Sequence, residues 1–313
     1  MITTEADMSG RPMRTVVIGS NGRLGCELLA AFRDHGEVIG LARADMDLSD
    51  PESINRVLGG LEYDRVLISA ALTAVDYCES NSDEAYAVNA EAPRIIAEIS
   101  KKKGAHVTYV STDFVFDGTQ TGPYSEYDQA NPISVYGASK LRGEEHVMNT
   151  DRANLVVRVS WVFGPGRPAF PEWIIGQALE KSDLFLPGDK IASPSSSRDL
   201  ARMIKLLVTG REGEPASDIF HLCNTGICTW RDWGQFCLEE AIEAGVPLKA
   251  REIKPNLVSD VAAFIAKRPL NSALATSKYE AWTGVKPPSW QESLSSHLYK
   301  SPLLNESREL ACG

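Results

Sequence analysis

The sequence predicts an α/β protein built on a doubly wound parallel sheet. Short apolar, β-branched runs alternate with stretches of helical periodicity through the first half of the chain. Three glycines spaced three apart follow the first of these runs. At 313 residues the chain is long enough for two lobes, or for one large α/β unit with an elaborated end. A hydrophobic content of 43% supplies a sizeable core.

From Arg14 the chain reads RTVVIGSNGRLGCELLAAFRDHG, a strand, a turn and a helix running to Gly36. Gly19, Gly22 and Gly25 have the G-x-x-G-x-x-G form, which turns the backbone sharply and brings a helix N-terminus up to a pyrophosphate. Three glycines alone serve a purely structural turn equally well. EVIGLAR is the second strand; where many dinucleotide folds place an acid for the adenosine ribose, this chain has Ala42 and Arg43. An arginine there and no acid favour NADPH. Asp45 and Asp47 stand close by as alternative registers, and Arg43 also reads as a solvated surface charge.

RVLISAALTAV, residues 65 to 75, is the third run; its Ala70 and Ala71 either admit a flat cofactor ring or pack tightly. An alanine-rich helix is expected to reach about Lys102, with Asn89 inside it, and HVTYVST supplies the next strand. That strand ends at Thr112, where ligands of such sheets collect. The passage that follows, STDFVFDG, either caps and turns the chain or handles a substrate. In VYGASK, Tyr136 and Lys140 lie four apart on one helical face, so a fixed ammonium beside the phenol would lower its pKa and make it a proton donor and acceptor.

With 42 acidic against 32 basic side chains, a net charge of -10 argues against nucleic acid as a partner. The six cysteines have no zinc-knuckle or redox-dithiol spacing and read as reduced thiols. The segment MITTEADMSGRP lacks the apolar core of a signal peptide, and no apolar run nears the ~18 residues of a membrane span. A cytoplasmic protein without membrane contact is the expectation.

These blocks together resemble the dTDP-4-dehydrorhamnose reductase family of the extended short-chain dehydrogenase/reductase superfamily. GSNGRLG, LTAVDYCE, STDFVFDG, PYSEYDQANPISVYGASKLRGEE and RVSWVFG carry the likeness, more loosely continued by GDKIASP, FHLCNTGICTW and RPLNSAL. The resemblance implies a Rossmann-type doubly wound parallel sheet with a smaller C-terminal substrate-binding lobe. NAD(P) would be held by residues 13–164, and the substrate by residues 165–301, parts of which return to the sheet. Residues 1–12 and 302–313 read as flexible tails, residues 164–168 as a hinge-like loop, and residues 170–182 and 229–245 as helices.

The implied activity is reduction of a nucleotide-linked 4-keto sugar, dTDP-4-dehydrorhamnose giving dTDP-rhamnose, with NADPH preferred over NADH. In that reading Thr112 bonds the ketone, Tyr136 delivers the proton, and Lys140 lowers the tyrosine pKa and holds the nicotinamide ribose. Gly19, Ser20, Asn21, Gly22, Arg23 and Leu24 would surround the pyrophosphate, and Arg43, Asp47 and Leu48 the adenosine. Ala70, Ala71 and Thr73 would line the cofactor trough, while Asp113, Phe114 and Trp161 would join Thr112 at the sugar. Core burial is the alternative for Trp161. Related dehydratases place an Asp-Glu pair after the threonine; here Asp113 is followed by Phe114, which argues against dehydration.

The chain departs from the family at Ala169, Lys190 and Ala192, so the choice of sugar transfers less firmly than the cofactor. Some members join two subunits through glutamate-bound magnesium, and only Glu27 matches one of those positions, so no metal is expected. A monomer or homodimer fits equally. The rival reading is a non-catalytic NADP-binding regulatory subunit, since the methionine adenosyltransferase β subunit looks similar; an intact Thr112, Tyr136 and Lys140 favour the enzyme.

Overall fold

The computed structural model describes residues 11–210, 213–302 and 304. Its first half alternates as β1 (Arg14–Ile18), α1 (Arg23–Phe32), β2 (Glu37–Leu41), α2 (Pro51–Gly59) and β3 (Arg65–Ile68). Next come α3 (Val75–Ser80), α4 (Ser82–Tyr86), α5 (Ala92–Lys103), β4 (His106–Thr112), α6 (Val135–Thr150) and β5 (Leu155–Val159). The second half holds β6 (Val162–Phe163), α7 (Phe170–Glu180), β7 (Leu184–Pro187), β8 (Ile191–Ala192), β9 (Ser195–Ser196) and α8 (Ser197–Thr209). It ends with β10 (Asp218–Leu222), β11 (Cys228–Thr229), α9 (Trp230–Glu243), β12 (Ile253–Asn256), α10 (Ser277–Thr283) and α11 (Trp290–Leu298).

Six strands form one sheet in the order β10-β5-β4-β3-β1-β2, every pair parallel. The near-continuous apolar runs follow from burial on both faces, because successive side chains point to opposite sides. Val16 and Ile18 join Ile54, Leu58 and Ile96 in one layer, whereas Val17 joins Leu28, Phe32 and Ile204 in the other. From β1 the chain steps outward to β2, then crosses back past β1 to β3. That reversal opens a crevice at the carboxyl ends of β1 and β3.

The second half does not form a separate bead. β10 extends the sheet beside β5, and α8 packs beside α1. The remainder builds a lobe around Ile174, Trp233, Leu238, Trp290 and Leu294. Of the segments expected as tails, residues 1–10, 303 and 305–313 lie outside the described residues. At their inner edges Arg11 pairs with Asp64, and Leu304 is buried in the lobe's core, so order extends beyond residue 302.

The expected continuous helix up to Lys102 is instead three helices with a π turn at Ala87–Glu91. Asn89 accounts for the break. Its side chain accepts from the Leu72 N–H at 2.9 Å and donates to the Leu72 carbonyl at 3.0 Å and to Ser139 at 3.1 Å. Wide turns of this kind mark places where a helix yields regularity to a side chain's task. Here the task is fixing the loop after β3 against α6.

Candidate active site

The crevice at the switch point is a cleft of about 880 Å³. Its floor depends on close backbone approach. Gly19 has φ +87°, and a Cβ there would lie 2.7 Å from the Ala70 nitrogen; at Gly25 a Cβ would lie 2.0 Å from the Gly19 carbonyl. The helix α1 therefore starts directly against the turn. No side chain caps it and no acid stands in its first turn, which leaves its N–H groups and positive dipole end available to an anion. These features fit a dinucleotide pyrophosphate.

Every residue expected at cofactor or substrate lines this cleft except Ser20. Ser20 is buried against β2: its N–H donates to the Leu41 carbonyl, and a Cβ on Gly40 would lie 2.9 Å from its own Cβ. The sequence pattern missed Arg167, which enters the cleft from the loop after β6. A charged side chain inside a Gly/Pro loop was the available signal.

Arg43 and Asp47 both line the cleft, and the Arg43 charge helps hold the Asp47 carboxyl below its usual range, after two hydrogen bonds from Ser49. Of the two nearby alternatives, Asp45 folds back, accepts from the Ala42 N–H at 2.8 Å and remains outside the cleft lining.

Tyr136 and Lys140 occupy successive turns of α6, whose N-terminus is capped by Ser134 accepting from the Gly137 N–H at 3.2 Å. The Tyr136 ring meets Phe114 edge to face at 5.6 Å, and Tyr136 and Thr112 both line the cleft. Burial pushes the phenol well above its ordinary value; the neighbouring Thr112 hydroxyl opposes this, and the Asp113 carboxylate adds to it. The expected lowering by Lys140 is therefore not what the structure presents. The Lys140 Nζ donates instead to the Val110 carbonyl at 2.7 Å and lies 3.9 Å from the Tyr109 ring centre. What the site holds is a protonated phenol facing the cleft.

Lys140 itself is pushed down to about 7 by burial, with Glu144 opposing. An unfolded lysine titrates near ~10.4, so between these values the unfolded chain binds more protons and folding stability rises with pH. Below about 7 the full penalty of burying the charge is present. In denaturant titrations, the stability difference between wild type and Lys140→Met is expected to move in favour of wild type as pH rises from about 7 to ~10. A pH-independent difference would show that the amine is not buried as a charge.

STDFVFDG proves to both cap and face the site. Thr112 accepts from the Phe114 N–H at 3.3 Å, starting a short 3-10 turn, while lining the cleft with Tyr136. Asp117 is purely a turn residue, accepting from the Thr119 N–H and hydroxyl, Asn131 and Tyr124. Asp113 lines the cleft, yet its carboxylate is already engaged by Thr112 at 3.1 Å, Ser160 at 3.0 Å and Ser272 at 2.5 Å. Trp161 takes φ 40°, a costly left-handed backbone for a bulky residue. Its ring stacks on Trp233 at 5.2 Å, so the neighbouring lobe holds it in place at the cleft wall.

The Glu27 carboxylate faces Arg198 at 3.6 Å.

A parallel sheet with this switch point, an uncapped helix at a glycine turn, and a threonine, tyrosine and lysine at the adjoining strand end define the extended short-chain dehydrogenase/reductase class. The family described as "RmlD substrate binding domain" matches residues 13–302, and the chain belongs to it. It is 34% identical to the spore coat polysaccharide biosynthesis protein SpsK of Bacillus subtilis, over 91% of this chain and 96% of that one. It is 32% identical to the dTDP-4-dehydrorhamnose reductase of Burkholderia thailandensis, over 89% of this chain and 96% of that one. The crystal structure of a dTDP-4-dehydrorhamnose reductase from Bacillus anthracis in complex with NADP superposes with a TM-score of 0.85 at 28% identity, covering 92% of this chain and 99% of that chain.

Proposed function

We propose that this protein is an NADPH-dependent reductase of a nucleotide-linked 4-keto sugar, with dTDP-4-dehydrorhamnose as the substrate its named relatives favour. The observation that carries the reading is a buried Tyr136 lining, together with Thr112 and Lys140, the cleft that the glycine turn opens. NADPH would lie along the glycine turn and the β3 loop and supply the hydride to the ketone carbon. Tyr136 gives its hydroxyl proton to the oxygen. Lys140, already tethered to the strand carbonyl of Val110, orients the inner end of the cleft.

The test is NADPH oxidation across a panel of dTDP-, UDP- and GDP-linked 4-keto sugars. Turnover confined to dTDP-linked substrates supports the reading, and no turnover with any of them ends it.

At the adenosine end Arg43 is the side chain positioned to pair with a 2′-phosphate. Charge-assisted contacts of this type are worth ~1.5 to 3 kcal/mol, or roughly ten- to a hundredfold in affinity. Arg43→Ala is expected to lose that much NADPH affinity in a fluorescence titration while NADH affinity holds. Equal loss for both cofactors would place Arg43 in folding instead.

A further inference from the structure

Asp76 stands in the first turn of α3, next to Val75, which lines the cleft. Its carboxylate holds a stretch from the far end of the chain, residues 261–268, which contains neither strand nor helix. The Ile265 and Ala266 N–H groups donate to its Oδ1 at 2.8 and 2.9 Å, while Arg268 donates from Nη1 to Oδ1 at 3.0 Å and from Nη2 to Oδ2 at 2.5 Å. One side chain thus gathers donors from 189 to 192 positions away. The stretch's own backbone bonds, from the Phe264 N–H to the Val261 carbonyl and from the Val261 N–H to that of Val258, are local turns that shape it without placing it.

Arg268 carries the link onward. Its side chain is 8% exposed, so the two-pronged pair with Asp76 is charge-assisted and shielded from water. The guanidinium carbon also lies 3.6 Å from the Phe264 ring centre, which seats the cation on an aromatic face. Phe264 meets Trp230 at 5.7 Å, and Trp230 meets Trp161 at 5.9 Å. Trp161 lines the cleft. An unbroken run of contacts therefore leads from the loop after β3 to the aromatic wall around Trp161, and Asp76 anchors it.

We propose that Asp76 is a positioning residue that acts through Arg268 and Phe264 to hold the Trp230 and Trp161 wall of the cleft in place for the substrate's sugar. The consequence in turnover rests on the reductase reading, whereas the hold on residues 261–268 does not.

The test is Asp76→Asn. An amide has one acceptor oxygen, so it can serve the two backbone N–H groups or Arg268, but its NH₂ then faces a donor. Losing a charge-assisted pair is worth roughly ten- to a hundredfold, and hydrogen exchange at residues 261–268 should quicken by about that factor while residues 14–32 keep their wild-type rate. KM for the best keto sugar of the panel should rise by a similar factor, with kcat and NADPH affinity held within about twofold, the pattern of lost substrate binding. Unchanged exchange at residues 261–268 overturns the proposal, and so does faster exchange with an unmoved KM. Faster exchange at residues 14–32 as well, or an equal loss of NADPH affinity, would make Asp76 a general support of the fold and overturn it too. If Asp76→Asn does not fold, Arg268→Gln removes the cation and its fork from the same run of contacts, and the same readings decide. Wild-type inactivity on every keto sugar would end the reductase reading, while hydrogen exchange would still decide whether Asp76 holds the stretch.

Discussion

Tyr136→Phe is expected to lower kcat by about 10²- to 10⁴-fold, the usual worth of a positioned general acid. The substitution deletes the transferable proton but retains the ring and its edge contact with Phe114. The cleft keeps its shape, so NADPH affinity should hold within about twofold, and the loss belongs to the chemical step. Single-turnover rates separate that step from binding. A variant whose single-turnover rate stays within about a factor of two of wild type would remove Tyr136 as the proton donor.

The second large effect concerns stability. Arg158 on β5 and Glu144 on α6 form a buried pair, with side chains 4% and 2% exposed and a closest contact of 2.7 Å. Two further contacts at 3.0 and 3.2 Å make the pairing bidentate, and Ser111 also donates to Glu144. Arg158→Met leaves the carboxylate buried without its cation, a change that typically costs ~3 to 5 kcal/mol. Denaturant titration should show a loss of this size, and the double variant with Glu144→Gln should recover most of it, because the desolvated charge is then gone. A single-variant loss below ~1 kcal/mol would mean that the pair is effectively solvated. The consequence reaches the site, since Ser111 precedes Thr112 and Glu144 lies one turn beyond Lys140 and supports its charge.

The parallel sheet, the glycine turn and the placing of Tyr136 and Lys140 on one helical face were legible in the sequence because each depends on local spacing. Strand periodicity marks faces buried on both sides, glycine spacing marks a turn that a Cβ would obstruct, and a four-residue interval marks one helical face. The helices near residues 170 and 230 were legible for the same reason, and are observed at Phe170–Glu180 and Trp230–Glu243. The break at Asn89 was not, because the Leu72 backbone groups that it satisfies lie 17 positions away.

By itself the sequence determined the class of fold and the place of the cleft, since local conformation and the alternation of strand and helix dictate these; most of the bordering residues followed from the family resemblance, and Arg167 was missed. Only the tertiary structure decided how charge and protons are arranged there. Lys140 is tied to Val110, 30 positions earlier; Asp113 collects Ser272 from 159 positions away; and Lys190 lies behind Phe114 and Trp161. Burial and partners set whether a phenol, amine or carboxyl holds its proton, and both arise when distant segments close over one another.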